Sequence, residues 1–149
     1  MLVCRGVRGA IVVPENTAEA ILSQARRLLA LMIRLNGLEP QDVASAIFTT
    51  TPDLDAEFPA LAARQLGWQG VALLCGSEMR VPESMARVLR VLVHWNTTKR
   101  ADETVHVYVG GAELLRPDQR KLPPVDWPDL DRWILDAVSR FAKVDATAR

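Results

Sequence analysis

The run Val88-Leu89-Arg90-Val91-Leu92-Val93 places a guanidinium in the middle of an apolar, β-branched segment. A run of this kind reads as a buried strand, and arginine is almost never fully buried without a partner. Left unpaired in such surroundings, the charge would cost several kcal/mol even after relaxation. A fold for this chain therefore has two options for Arg90. It supplies an anion, from an acidic side chain or a ligand, or it puts Arg90 on an edge strand where the side chain snorkels to water.

The rest of the composition narrows the surroundings of that cation. A chain of 149 residues with 49% apolar and 24% charged residues fits one globular domain with its own core. Lys+Arg and Asp+Glu balance at 18 each, so no overall field favours nucleic acid or an acidic membrane. Lysine occurs only at Lys99, Lys121 and Lys143, and the remaining cations are arginines, the better residue for bidentate carboxylate recognition. Cys4 and Cys75 form no disulfide framework and both sit in apolar sequence, as expected in a reducing compartment. The strand-like Leu2-Val3-Cys4 start leads us to expect no signal peptide, and Arg34 interrupts the longest apolar stretch, near Leu28–Leu35. A cytoplasmic protein without membrane or nucleic-acid partners is the expectation.

Read along the chain, Leu2–Val13 is a strand interrupted around Arg8 by Gly6 and Gly9, which let the backbone approach a neighbour closely. Asn16 is the expected N-cap of the next helix, with Glu19 three residues on. Ile21, Leu22, Ala25, Leu28, Leu29, Met32 and Ile33 make one apolar helix face, and Asn36-Gly37 stops it. Strands are expected at Val43–Thr50, Gly70–Cys75, Val88 to about Trp95, and Val105–Val109. A short helix spans Pro59–Leu66, a helical turn follows Pro82, and Gly110-Gly111 forms a tight bend. Strands alternating with helices give an α/β (α+β) domain with a mixed sheet. Lys121-Leu122-Pro123-Pro124 is a stiff spacer. Beyond it, Pro128 opens an amphipathic helix with Leu130, Trp133, Ile134, Ala137, Val138 and Phe141 on one face. We divide the chain into a main domain, 1–118, and a tail, 119–149. The tail helix docks on its own domain or a sister subunit, or acts as a lid.

Conventional catalytic kits are missing from the sequence. It has no Gly-rich phosphate loop, no Cys/His pair at metal spacing and no Ser-His-Asp order. His94 and His106 read as satisfied core residues, and a cysteine in an apolar strand, like Cys75, is usually inert. What remains near strand ends is Arg8, Arg64, Glu78, Arg90, Tyr108 and Arg116. Such a set suits a polyanionic small molecule, and a reaction that needs electrostatics and orientation more than proton transfer.

Several blocks occur in a telling order: Arg5-Gly6-Val7-Arg8-Gly9-Ala10, Thr51-Pro52-Asp53-Leu54, Phe58-Pro59-Ala60 with Arg64, and Cys75-Gly76-Ser77-Glu78-Met79. Arg90, His106-Val107-Tyr108 and Leu115-Arg116-Pro117-Asp118 complete the series. Over about Leu2 to Asp118 the chain resembles the AroH-class, trimeric bacterial chorismate mutases. The resemblance implies a mixed five-stranded β-sheet flanked by helices, assembled as a homotrimeric pseudo-α/β-barrel with a site in each cleft. It also implies rearrangement of chorismate to prephenate on the way to phenylalanine and tyrosine, with no cofactor and no metal.

Matched residue by residue, the resemblance makes Arg90, Glu78 and Arg8 the catalytic set. Arg90 would meet the ether oxygen of the breaking bond, and Arg8 a substrate carboxylate. Glu78 would accept from the ring hydroxyl and orient the arginines, while Tyr108 would bond the enolpyruvyl carboxylate. Cys75 would line the pocket near the hydroxyl, in a segment continued by Gly76 and Ser77, and Leu74 would contribute through its backbone. Phe58 and Arg64 would wall the cleft from the adjacent subunit. Leu115 and Arg116 would belong to a C-terminal segment closing over it. Leu61 stands where relatives can carry lysine, which removes one peripheral cation, and the tail beyond about Leu122 exceeds the family core. The competing class is a non-catalytic trimeric module that binds a small carboxylate. A cysteine-dependent or deaminase-like enzyme would need a base for Cys75 that the sequence does not offer.

Overall fold

Period-two alternation, hidden in the sequence by leucines on both faces, organises the sheet. The computed structural model describes the backbone of residues 1–147 and side chains through residue 142. In chain order the elements are β1 (Val3–Val12), α1 (Ala18–Asn36), β2 (Val43–Thr50), α2 (Ala60–Gln65), β3 (Ala72–Ser77), β4 (Val88–Thr97), β5 (Val107–Val109) and α3 (Trp127–Thr147). Short 3-10 turns lie at Pro40–Asp42, Ala101–Glu103 and Ala112–Leu115. The five strands form one sheet in the order β3-β2-β4-β1-β5. It is mixed: β4 runs antiparallel to β1 and β2, whereas β1/β5 and β2/β3 are parallel pairs.

The two faces differ sharply. Val7 and Ile11 of β1, Phe48 of β2, and Leu89, Val91, Val93 and Trp95 of β4 are buried. They form one core with Ile21, Ala25, Leu28, Leu29 and Met32 of α1. The alternate residues of β4, which are Arg90, Leu92, His94 and Asn96, point to the other, more open face. Arg90 is thus neither buried nor on an edge. It lies on the central strand, where its side chain keeps 47% of its exposure. The apolar run suggested burial on both faces because Leu92 is apolar on the open one.

Gly9 shows why β1 carries glycine beside Arg8. A Cβ there would overlap Met32 Sδ and lie 3.1 Å from Leu28 Cδ1. The glycine lets α1 pack directly on the strand, and β1 runs through it unbroken over ten residues.

The helix cap differs from expectation. Thr17, in extended conformation, caps α1 by accepting from the Ala20 N–H at 3.1 Å. Asn16 instead ties the loop after β2. Its Oδ1 accepts from the Asp55 and Ala56 N–H groups, and its Nδ2 donates to Asp55 Oδ1 at 2.7 Å. At the other end Gly37 adopts φ 75° and its N–H bonds the Ile33 carbonyl, as expected of a helix stop. Strand β4 extends to Thr97 rather than Trp95, because Val3 and Cys4 of β1 supply partners for Thr97 and Asn96. No helical turn follows Pro82; the chain bends there, with positive φ at Glu83 and Arg87.

The tail helix α3 docks on its own domain. Asp126 caps it by accepting from the Asp129 N–H at 3.1 Å, and Leu130, Ile134 and Ala137 are buried. It packs on α1 and α2, where Arg27 forms two bonds to Asp131 at 2.9 and 2.7 Å. The Arg27 guanidinium also lies 5.0 Å from the centre of the Trp127 ring. Because α1 covers the core face of the sheet, within the protomer α3 stands on the far side from Arg90 and does not cover it. No helix among the described residues is long and apolar enough to cross a membrane.

Candidate active site

Cross-strand register assembles the site. Residues paired across neighbouring strands share a face. One row across the open face therefore reads Gly76 (β3), Thr49 (β2), Arg90 (β4), Ala10 (β1) and Tyr108 (β5). The next row reads Leu74, Ile47, Leu92 and Arg8. Ala10, fully buried, separates Arg90 from Tyr108 in that row, and a cleft opens on this face. The cleft holds about 290 Å³ and is lined by Arg8, Thr49, Glu78, Arg90 and Tyr108 over apolar Ile47 and Leu92.

Glu78 reaches this face because its N–H bonds the Thr50 carbonyl at 2.8 Å, which prolongs the β2/β3 pairing one residue past the strand. Its carboxylate then meets Arg90 through two contacts, Nε to Oε1 at 2.9 Å and Nη2 to Oε2 at 3.2 Å. Thr49 Oγ1 donates to the same Oε1 at 2.6 Å. The anion that Arg90 requires is therefore an acidic side chain. With side-chain exposures of 47% and 21%, the pair contributes about 1 kcal/mol or less to stability. What the pair does well is fix a guanidinium on a rigid central strand with donors still available to a ligand.

His106 serves the second arginine. The β1/β5 pairing begins at Gly9 and Val107, so the Arg8 N–H has no strand partner, and His106 Nδ1 accepts it at 3.0 Å. That bond requires a neutral ring. Burial pushes the His106 pKa down, and the Arg8 and Arg116 charges push in the same direction. Arg116 is held by Asp118 through bonds of 3.0 and 2.9 Å, which hold the Asp118 carboxyl at about 2.

The structure thus brings Arg8, Glu78, Arg90 and Tyr108 together; Gly76 and Leu74 share their face without lining the cleft, and the other expected site residues lie apart. Cys75 and Ser77 pair with Phe48 and Thr50, so their side chains point to the opposite face from Arg90. With Gly76 and Phe58 they line a separate cleft of about 530 Å³. Within the protomer Cys75 is therefore not in the Arg90 cleft, because strand parity turns it away. Phe58 is 72% exposed and Leu74 is 64% exposed, and Arg64 is exposed in the last turn of α2. Leu115 ends a 3-10 turn, and Arg116 lies in a groove of about 670 Å³ that meets the main cleft at Tyr108. Among the described residues no three His, Cys, Asp or Glu side chains converge as metal ligands would. Two residues that touch this machinery were given no role by the sequence, although His106 stands in one of the ordered blocks. Thr49 sits in a Thr49-Thr50-Thr51 run where only register tells which hydroxyl faces Glu78, and His106 read as core.

Residues 4–119 match the family model for chorismate mutase type I. The chain belongs to that family. It is 50% identical over 115 residues to chorismate mutase AroH of Thermus thermophilus, covering 76% of this chain and 94% of the relative. Against chorismate mutase AroH of Bacillus subtilis (strain 168) it is 40% identical over 118 residues, 78% of this chain and 93% of the relative. A solved chorismate mutase from Clostridium thermocellum superposes with a TM-score of 0.73 at 46% identity, covering 74% of this chain and 98% of that one. The chorismate mutase type I match takes in all five strands together with α1 and α2. Helix α3 lies beyond it.

Proposed function

We propose that this chain is an isomerase that converts chorismate to prephenate, an intramolecular Claisen rearrangement in phenylalanine and tyrosine biosynthesis. The observation that carries this reading is the Arg90 guanidinium held by Glu78 on the central strand, with Arg8 and Tyr108 across the same cleft. Family membership supports the substrate.

A concerted rearrangement asks two things of a protein. The substrate must be held compactly, with its reacting carbons close, which turns a rare solution geometry into the bound one. As the C–O bond breaks, negative charge grows on the ether oxygen, and a fixed cation there favours the transition state over the ground state. In this reading Arg90 meets that oxygen, Arg8 a carboxylate, Tyr108 the enolpyruvyl carboxylate, and Glu78 the ring hydroxyl. None of these residues needs to form a covalent bond or exchange a proton with the substrate.

We further infer a homotrimer in which Phe58, Arg64, Leu74 and the Cys75–Ser77 segment complete the cleft of a neighbouring subunit, with Leu115 and Arg116 closing it. Their exposure or their distance from the Arg90 cleft in the protomer fits that role. Residues 1–118 would carry the chemistry and 119–149 an appended tail, in a cytoplasmic protein. The test has two arms. Purified protein should consume chorismate, followed by loss of its absorbance, and light scattering should give three times the 16.5 kDa chain mass. No rate above the uncatalysed background would replace the enzyme with a carboxylate-binding module, and a monomer would remove the shared cleft.

A further inference from the structure

We infer that Thr49 is a positioning residue that holds the Glu78 carboxylate, and through it the aim of Arg90. The inference rests on the proposed reaction at this cleft but uses a residue with no place in that scheme. Thr49 stands next to Arg90 in the cross-strand row, paired with Arg90 on one side and Gly76 on the other. Its hydroxyl donates to Glu78 Oε1 at 2.6 Å, the same oxygen that accepts from Arg90 Nε at 2.9 Å. Glu78 lies just past the end of β3, where only its backbone bond to Thr50 restrains it. Its side chain would otherwise depend on Arg90 alone. When a substrate oxygen competes for the Arg90 donors, the Arg90–Glu78 contacts loosen, and the Thr49 bond is the one that keeps the carboxylate in place. A hydrogen bond to an ionised carboxylate is among the stronger ones, and a threonine on a central-face strand has few rotamers to choose from.

The geometry also shows why a hydroxyl is needed here rather than another charge. A second cation at this position would compete with Arg90 for Glu78, and an apolar group would leave Oε1 with a single donor. Threonine supplies one neutral donor on a β-branched side chain that suits the strand.

Thr49→Val removes the hydroxyl and keeps the shape; Thr49→Ser keeps the hydroxyl. Because a misaimed Arg90 weakens an interaction made mainly in the transition state, Thr49→Val should lower kcat about tenfold, with KM changed less than about twofold. Thr49→Ser should stay within about threefold of the parent, and both variants should melt within a few degrees of it. In the Glu78→Ala background, Thr49→Val should have no further effect, since the group it positions is gone. Equal damage from Val and Ser, full kcat in Thr49→Val, or an undiminished effect without Glu78 would each overturn the inference. A second readout is independent of activity. Crystal structures should show Glu78 displaced from Arg90 in Thr49→Val and in place in Thr49→Ser, and an undisturbed pair in the Val variant would also overturn it. A parent protein inactive toward chorismate, with Glu78 displaced in the Val variant, would remove the proposed reaction and leave the positioning role standing.

Discussion

Replacing Glu78 with glutamine separates what the Arg90–Glu78 pair does for the fold from what it does for chemistry. The substitution keeps the shape and removes the charge that draws in Nε and Nη2 of Arg90, now at 2.9 and 3.2 Å. Arg90 is about half exposed and Glu78 about one-fifth, so solvent screens the pair, and its loss should cost about 1 kcal/mol of stability or less. For a domain of this size that corresponds to a fall in Tm of about 2–4 °C. The catalytic cost follows a different scale. With the charge of Glu78 gone, the guanidinium is free to sample other rotamers, and a misplacement of about 1 Å costs roughly 100-fold in rate. Glu78→Gln should therefore lower kcat by between about 10- and 100-fold while the protein melts almost normally. The assay pairs saturating-substrate chorismate consumption with a thermal melt of the same preparation. A kcat within twofold of the parent, or a loss of activity matched by a Tm fall of more than about 10 °C, would refute the separation.

Two other perturbations probe the surroundings. Neutral His106 accepts the Arg8 N–H, and its pKa is held below its ordinary 6.5 by burial, then by Arg8 and Arg116. Its contribution to stability is thus full above about 6.5 and is lost as pH falls toward the depressed folded value. The Tm of the parent should drop between about pH 7 and 5, and His106→Asn, which cannot titrate, should drop less; identical slopes would contradict this. On the far side of the sheet, Ile134→Ala should cost about 2–4 kcal/mol in denaturant unfolding by opening the α3 interface, with kcat unchanged. A tenfold fall in kcat at unchanged stability would show that α3 reaches the site.

The sequence made some of this legible and hid the rest for identifiable reasons. The period of α1 was plain because Ile21, Ala25, Leu28, Leu29 and Met32 all fall on one buried face. The tail helix was equally readable from Leu130, Ile134 and Ala137, but its landing place depends on Arg27 and Asp131, which are 104 residues apart in the chain. Arg90 was singled out correctly and placed wrongly. Leu92 puts an apolar residue on the open face, and that erased the alternation which would have marked one face as solvent-facing. Asn16 and Thr17 are adjacent capping residues, and only tertiary contact with Asp55 and Ala56 decides between them. The cluster of Arg8, Glu78, Arg90 and Tyr108 came from the ordered family blocks. Its row-by-row construction, with Thr49 beside Arg90, comes from register alone, which a single sequence does not display.

The central claim is that a fixed positive charge at Arg90 stabilises charge developing in the transition state. The most direct measurement is the kcat of Arg90→Ala at saturating chorismate, beside a melt showing that the half-exposed side chain was not needed for folding. The account predicts a loss of at least about 100- to 1,000-fold in kcat, the cost of removing an electrostatic donor of this type, with Tm lowered by only a few degrees. Turnover retained within about tenfold in a folded Arg90→Ala protein would contradict it.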